Sequence, residues 1–169
     1  TLTRAGDGVI GVQVPAGAAE DAAGNPNLAS NEVTAEFDGT APGVTLSPLT
    51  GPVAGVYTTT ASFSEDVTGL DAAALTLTNA SAAVSGSGSV YTITLTPAGD
   101  GVIGVQVPAG AAEDAAGNPN TASNEVTAEF DGTAPGVTLS PLTGPVAGVY
   151  TTTASFSEDV TGLDAAVLT

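Results

Sequence analysis

Carboxylates and amides dominate what this sequence could do chemically. Three acids, Glu65, Asp66 and Asp71, fall within the short segment Ser64-Glu65-Asp66-Val67-Thr68-Gly69-Leu70-Asp71. A second segment, 109–120, carries Glu113, Asp114, Asn118 and Asn120, and Asp38 precedes both. Such oxygens, together with backbone carbonyls, are the ligands of hard cations; Ca²⁺ takes six to eight of them at about 2.3–2.6 Å. The candidate calcium ligands are therefore Asp38, Glu65, Asp66, Asp71, Glu113, Asp114, Asn118 and Asn120. Copies of the same residues stand at Glu20, Asp21 and Asn25, and at Asp131, Glu158, Asp159 and Asp164. Of Glu65 and Asp66, at least one is expected to ligate. At this level a second reading stays open: solvated loop acids that cap turns through side-chain to backbone hydrogen bonds.

Composition narrows the chemistry to that oxygen set. The 169 residues hold 18 acids against one base, Arg4, with no Lys, His, Cys, Met or Trp and a net charge of −17. Without Cys there is no disulfide, thiolate metal site or thiol nucleophile. Without His the usual general base and zinc ligand are missing. One guanidinium cannot neutralise a phosphate backbone, so nucleic acid is not an expected partner. No apolar run is long enough to span a membrane, so membrane insertion is not expected. The charge does not signal disorder, because hydrophobic residues make up 42% and the mean hydropathy is +0.28. The apolar set is Val, Leu, Ala and Ile with much Thr, which favours strands.

The elements that must position the acids are repeated. Residues 1–76 recur as 94–169 with three differences, Arg4/Pro97, Leu28/Thr121 and Ala74/Val167, so the period is 93 residues. The linker Phe37-Asp38-Gly39-Thr40-Ala41-Pro42-Gly43 recurs as Phe130-Asp131-Gly132-Thr133-Ala134-Pro135-Gly136. Its proline fixes one dihedral and extends the residue before it. The chain then divides into 1–37, the second half of a preceding repeat; 38–130, a complete repeat; and 131–169, the first half of a following one.

Within 38–130, two-residue alternation marks strands at Val44–Leu46 with Leu49, at Tyr57, Ala61 and Phe63, and at Leu75 and Leu77. It continues at Tyr91, Ile93 and Leu95, at Ile103, Val105 and Val107, and at Val126, Ala128 and Phe130, with a weak edge strand at Ala82–Val84. No 3.6-residue period appears. About seven strands in roughly 100 residues predicts an all-β chain of tandem immunoglobulin-like β-sandwiches with an aliphatic core. In that topology Asp38 and the two acidic segments, read as the B–C and F–G loops, share one pole. The pole faces the preceding repeat, so a bound Ca²⁺ would stiffen the joint. Asp7 and Asp100 read as turn formers between two strands. Glu32, Glu36, Glu125 and Glu129 read as the solvent face of the last strand, or as charges guarding a sheet edge against aggregation.

The sequence resembles the bacterial Ig-like repeats of large secreted adhesins and cell-surface proteins. The segments that carry the resemblance are DGTAPGVTLS at 38–47, SFSEDVTGLD at 62–71 and YTITLTPAGDGVIGVQVPAGAAEDAAGNPNTAS at 91–123. The resemblance implies an extracellular, bacterial-surface spacer or adhesive role and no catalytic residues. The expected function is a non-catalytic structural repeat of a stalk or filament, with neighbouring repeats as partners and self-assembly into a filament as an option. The alternative is an adhesive module recognising glycans or another cell surface. A carboxylate-pair hydrolase has no expected cleft to support it. The fragments 1–37 and 131–169 cannot close a sandwich alone. The expected reason is a stretch cut from a continuous array; the alternative is pairing between the ends of successive chains.

Overall fold

The computed structural model describes residues 6–53, 55–145 and 147–164. The chain forms two compact units, Thr1–Phe130 and Asp131–Thr169. In the first, a hairpin of β1 (Gly8–Val12) and β2 (Val33–Phe37) precedes the sandwich. The sandwich then runs through β3 (Val44–Leu46), β4 (Thr50–Val53), β5 (Val56–Val67), β6 (Thr76–Thr78), β7 (Ala80–Pro97), β8 (Gly101–Gln106) and β9 (Val126–Phe130). The second unit contains the antiparallel pair β10 (Val137–Leu139) and β11 (Ala154–Phe156).

The alternation in sequence becomes two faces because successive side chains on a strand point to opposite sides. β5 carries β3 and β4 along one edge and β7 along the other, all antiparallel; β6, β8 and β9 form the facing sheet. Val44, Leu46, Tyr57, Ala61 and Phe63 from the first sheet, with Tyr91, Ile93 and Leu95 of β7, share one core with Ile103 and Val105 of the second and with Val107 just past β8. Two tyrosines end their rings on backbone carbonyls: Tyr57 Oη donates to Glu129 O at 2.6 Å and Tyr91 Oη to Val67 O at 2.8 Å. Among the described residues the one helical element is a 3₁₀ turn, Ala72–Ala74.

Three features depart from the sequence reading. The edge strand expected at Ala82–Val84 is not separate: it belongs to the 18-residue β7, which bends where Gly86 and Gly88 take φ of 119° and 69°. A Cβ at Gly86 would lie 2.5 Å from Val90 O, so the bend requires glycine there. β4 was not anticipated, and its pairing with β5 is irregular between Thr50 and Val53. The acidic segment read as the B–C loop starts inside a strand, since β5 runs to Val67. There Ser62 pairs with Val90 but Val67 pairs with Gly88, so five steps on β5 match two on β7. The extra residues make a bulge that contains Glu65 and Asp66.

In the second unit, whose described residues form the strands β10 and β11, Leu139 is 65% exposed, whereas its equivalent Leu46 in the complete repeat is 3% exposed. The closed core is therefore the property of residues 38–130. Ile93 lies at its centre with no exposed surface. Ile93→Ala should lower the unfolding free energy of this sandwich by about 2–5 kcal/mol. Val9→Ala, on the exposed hairpin face, should change it by less than about 0.5 kcal/mol. Urea titration of the full chain checks both.

Candidate metal site

The loop between β8 and β9 builds itself around two polar side chains. Asp114 Oδ1 accepts from the N–H groups of Ala116 and Asn118, both at 2.8 Å, and Oδ2 accepts from Asn118 Nδ2 at 2.8 Å. Asn120 Oδ1 accepts from Ala112 N at 2.8 Å, while its Nδ2 donates to Pro108 O at 3.0 Å and Thr121 O at 2.7 Å. Gly117, at φ 88°, makes the turn between them. The loop is tied to the end of β5 by a reciprocal pair, Thr68 N to Glu113 O at 2.8 Å and Glu113 N to Thr68 O at 3.0 Å.

These bonds place Asp114 beside the linker. Asp38 folds onto its own turn, with its Oδ1 accepting from Thr40 N at 3.0 Å, and Asn118 Nδ2 donates to Asp38 O at 3.2 Å. Glu65, on the same strand parity as the buried Phe63 and Val67, emerges half-buried at this pole. As a result one carboxylate oxygen from each of Asp38, Glu65 and Asp114 lies within 4.8 Å of the other two. A cleft of 780 Å³ opens beside them, lined on one side by Ser64, Glu65, Ala115 and Ala116 and on the other by Asp7, Glu36 and Phe37. The sequence reading expected no cleft. This one lies between the β1–β2 hairpin and the complete repeat, so neither repeat alone predicts it.

The electrostatics separate the carboxylates. Burial raises the Glu65 carboxyl above its ordinary 4.5, and the negative charges of Asp38, Asp114 and Asp7 raise it further. Burial also opposes ionisation of Asp114, but the bonds from the Asn118 side chain and from the N–H groups of Asn118, Ala116 and Gly117 outweigh it and hold the acid below its ordinary 3.8. Asp21, its equivalent in the hairpin, is likewise held low, chiefly by the Asn25 side chain.

The other expected ligands go elsewhere. Asp66, one residue along the strand from Glu65, faces the opposite side, where its carboxylate lies near Gly88. Asp71 caps the 3₁₀ turn through Ala74 N at 3.0 Å. Glu113 is exposed and joins the site through its backbone. Asn120 is buried with both ends of its amide held by backbone groups, which makes it a structural residue of the loop. Asn118 supports Asp114 and Asp38. Glu20, Asp21 and Asn25 are exposed on the hairpin loop, with Asn25 bonded to Asp21. In the second unit Asp131 accepts from Thr133 N at 3.0 Å, as Asp38 does from Thr40 N, and Glu158 Oε1 is buried without a hydrogen-bond partner. Asp159 and Asp164 are exposed there, and this unit holds no copy of the loop that supplies Asp114. Asp7 and Glu36, read as a turn former and a solvent-facing strand residue, line the cleft instead. The usable signal for both was their position at the end of a repeat that must face the next one.

Comparison with known proteins agrees with this architecture. No curated protein and no solved structure matches the chain. A family model described as a bacterial Ig-like domain matches residues 38–130, the span of the closed sandwich and of its acidic pole. That match covers more than half of the sequence, and the chain belongs to the bacterial Ig-like domain family.

Proposed function

We propose that the chain is a non-catalytic structural segment of an extracellular stalk or filament on a bacterial surface, and that Ca²⁺ held by Asp38, Glu65 and Asp114 stiffens its joints. The observation that carries this reading is the meeting of three carboxylates within 4.8 Å in a repeat that contains no basic side chain. Like charges that close repel and oppose the fold. A divalent cation turns the same arrangement into binding energy, and hard oxygen ligands are what Ca²⁺ takes. The raised pKa of Glu65 fits such a site, because burial and then the negative charges of Asp38, Asp114 and Asp7 disfavour its carboxylate when no cation is beside it. The three ligands come from the linker, the end of β5 and the β8–β9 loop, so an ion there would tie the linker to that strand end and to that loop. Neighbouring repeats are the natural partners in this reading, and near-identity of the copies favours a length-giving role over a ligand-reading one.

Glu65 and Asp114 also show the diverging acidities of an acid and nucleophile pair. The Asp114 oxygens, however, are aligned on Ala116, Asn118 and the Asn118 amide, and Ig-like domains of this family are generally non-catalytic. The mechanical reading therefore stands.

Calcium binding to the folded state alone should add about 2.7 kcal/mol at a free concentration one hundred times Kd. Calorimetry of the 169-residue chain should then show a melting temperature about 10 °C higher in Ca²⁺ than in EDTA. The doubly substituted Asp38→Asn, Glu65→Gln chain should lose that rise. Equal melting temperatures in Ca²⁺ and EDTA overturn the reading.

Acidity gives an independent check in EDTA. Glu65 is raised on folding, so its contribution is present below the unfolded value of 4.5 and is lost as pH rises through its folded value. Asp114 is lowered, so its contribution is present above 3.8 and is lost as pH falls through its folded value. The metal-free melting temperature should climb as pH drops from 7 towards 4.5 and fall again below 3.8. Glu65→Gln should flatten the upper limb and leave the lower one; an unchanged upper limb would mean that Glu65 does not feel its neighbours.

A further inference from the structure

Asp7 lies just before β1, and the pairing of Gly8 with Phe37 sets it opposite the point where β2 becomes the linker. Its carboxylate reaches across that gap. Oδ1 accepts from Gly39 N at 2.8 Å, and Oδ2 accepts from the Thr40 hydroxyl. The approach is close enough to constrain the linker sequence: a Cβ at Gly39 would lie 2.8 Å from the Phe37 ring and 3.5 Å from Asp7 Oδ1. On its other side the linker is fastened to the repeat it opens. Thr121 N donates to Pro42 O at 2.9 Å, Ser64 N to Gly43 O at 2.9 Å, and Gly43 N to Ser64 Oγ at 2.9 Å.

We propose that Asp7 is the latch of the joint, a positioning residue that holds the linker, and through it the β1–β2 hairpin, against residues 38–130 with no ion bound. The role differs from that of the Asp38, Glu65 and Asp114 cluster. Both Asp7 oxygens accept hydrogen bonds from linker residues, so Asp7 adds negative charge to the cleft without being one of the three grouped carboxylates. Both parts of the latch belong to the repeated sequence: Asp7 recurs as Asp100, and Gly39-Thr40 as Gly132-Thr133. The proposal does not depend on calcium binding.

Nuclear magnetic resonance of the full chain in EDTA tests it. The wild type should show slow exchange of the Gly39 amide, and one alignment tensor should fit the residual dipolar couplings of 8–37 and 38–130. Asp7→Ala should speed Gly39 exchange about tenfold or more, the scale of a hydrogen bond to a charged acceptor, and should split the couplings into two tensors. Thr40→Val, which keeps the Gly39 bond, should speed it less. The amide of Asn27, bonded to Ala19 O within the hairpin loop at 2.9 Å, should stay protected in both variants. Unchanged Gly39 exchange in Asp7→Ala overturns the latch, as does loss of Asn27 protection, which would make Asp7 a folding residue of the hairpin. Two tensors in metal-free wild type that merge on adding Ca²⁺ also overturn it, while leaving the calcium reading intact. A single metal-free tensor together with a melting temperature indifferent to Ca²⁺ supports the latch and removes the calcium reading alone.

Discussion

Residues 38–130 contain no basic side chain, so every carboxylate in them must be satisfied by N–H groups, hydroxyls, water or a cation. Much of the structure at the acidic pole follows from that constraint. Asp114 is satisfied by backbone and amide N–H groups, which hold it ionised although it is only 5% exposed. Asp38 turns one oxygen onto Thr40 N. Glu65 instead is raised by burial and then by the charges of Asp38, Asp114 and Asp7. The pole is ordered by hydrogen bonds around most of its acids and left electrostatically open around one.

Strand geometry decides which acids can meet. Glu65 and Asp66 are neighbours in sequence and equal in charge, yet β5 sends them to opposite faces. The mismatch of register between Ser62 and Val67 lifts this stretch out of regular pairing at the end of the sheet. Tyr91, by donating to Val67 O, anchors the far end of the irregular stretch. A bulge at a sheet end that re-aims a side chain is a recurrent device of functional sites, and here it brings Glu65 level with the linker.

The two copies of the acidic loop separate what is local from what is tertiary. Asp21 and Asn27, on the exposed hairpin, make the same bonds as Asp114 and Asn120: Asp21 accepts from Ala23 N and Asn25 N, and Asn27 accepts from Ala19 N. The loop is therefore encoded in its own dozen residues and needs no sandwich. What the hairpin copy lacks is company, because the carboxylates that approach Asp114 come from a different strand and from the linker.

Repeat length, strand periodicity and the absence of basic and sulfur-bearing side chains were legible in the residues themselves, because they are properties of spacing and composition. They were enough to predict an all-β Ig-like repeat. The 18-residue β7 and the short β4 were not legible, because glycine and proline ordinarily weaken or end strands, and Gly86, Gly88 and Pro52 lie inside them here. Nor was the choice of Glu65 over Asp66, or the burial of Asn120 as a loop staple. Asp7 was legible as a turn residue only. Its reach to Gly39 and Thr40 spans more than 30 positions and depends on the β1–β2 register, a relation between strands that no single stretch of sequence contains. Sequence settled which chemistry was available; tertiary structure settled which oxygens stand close enough to use it.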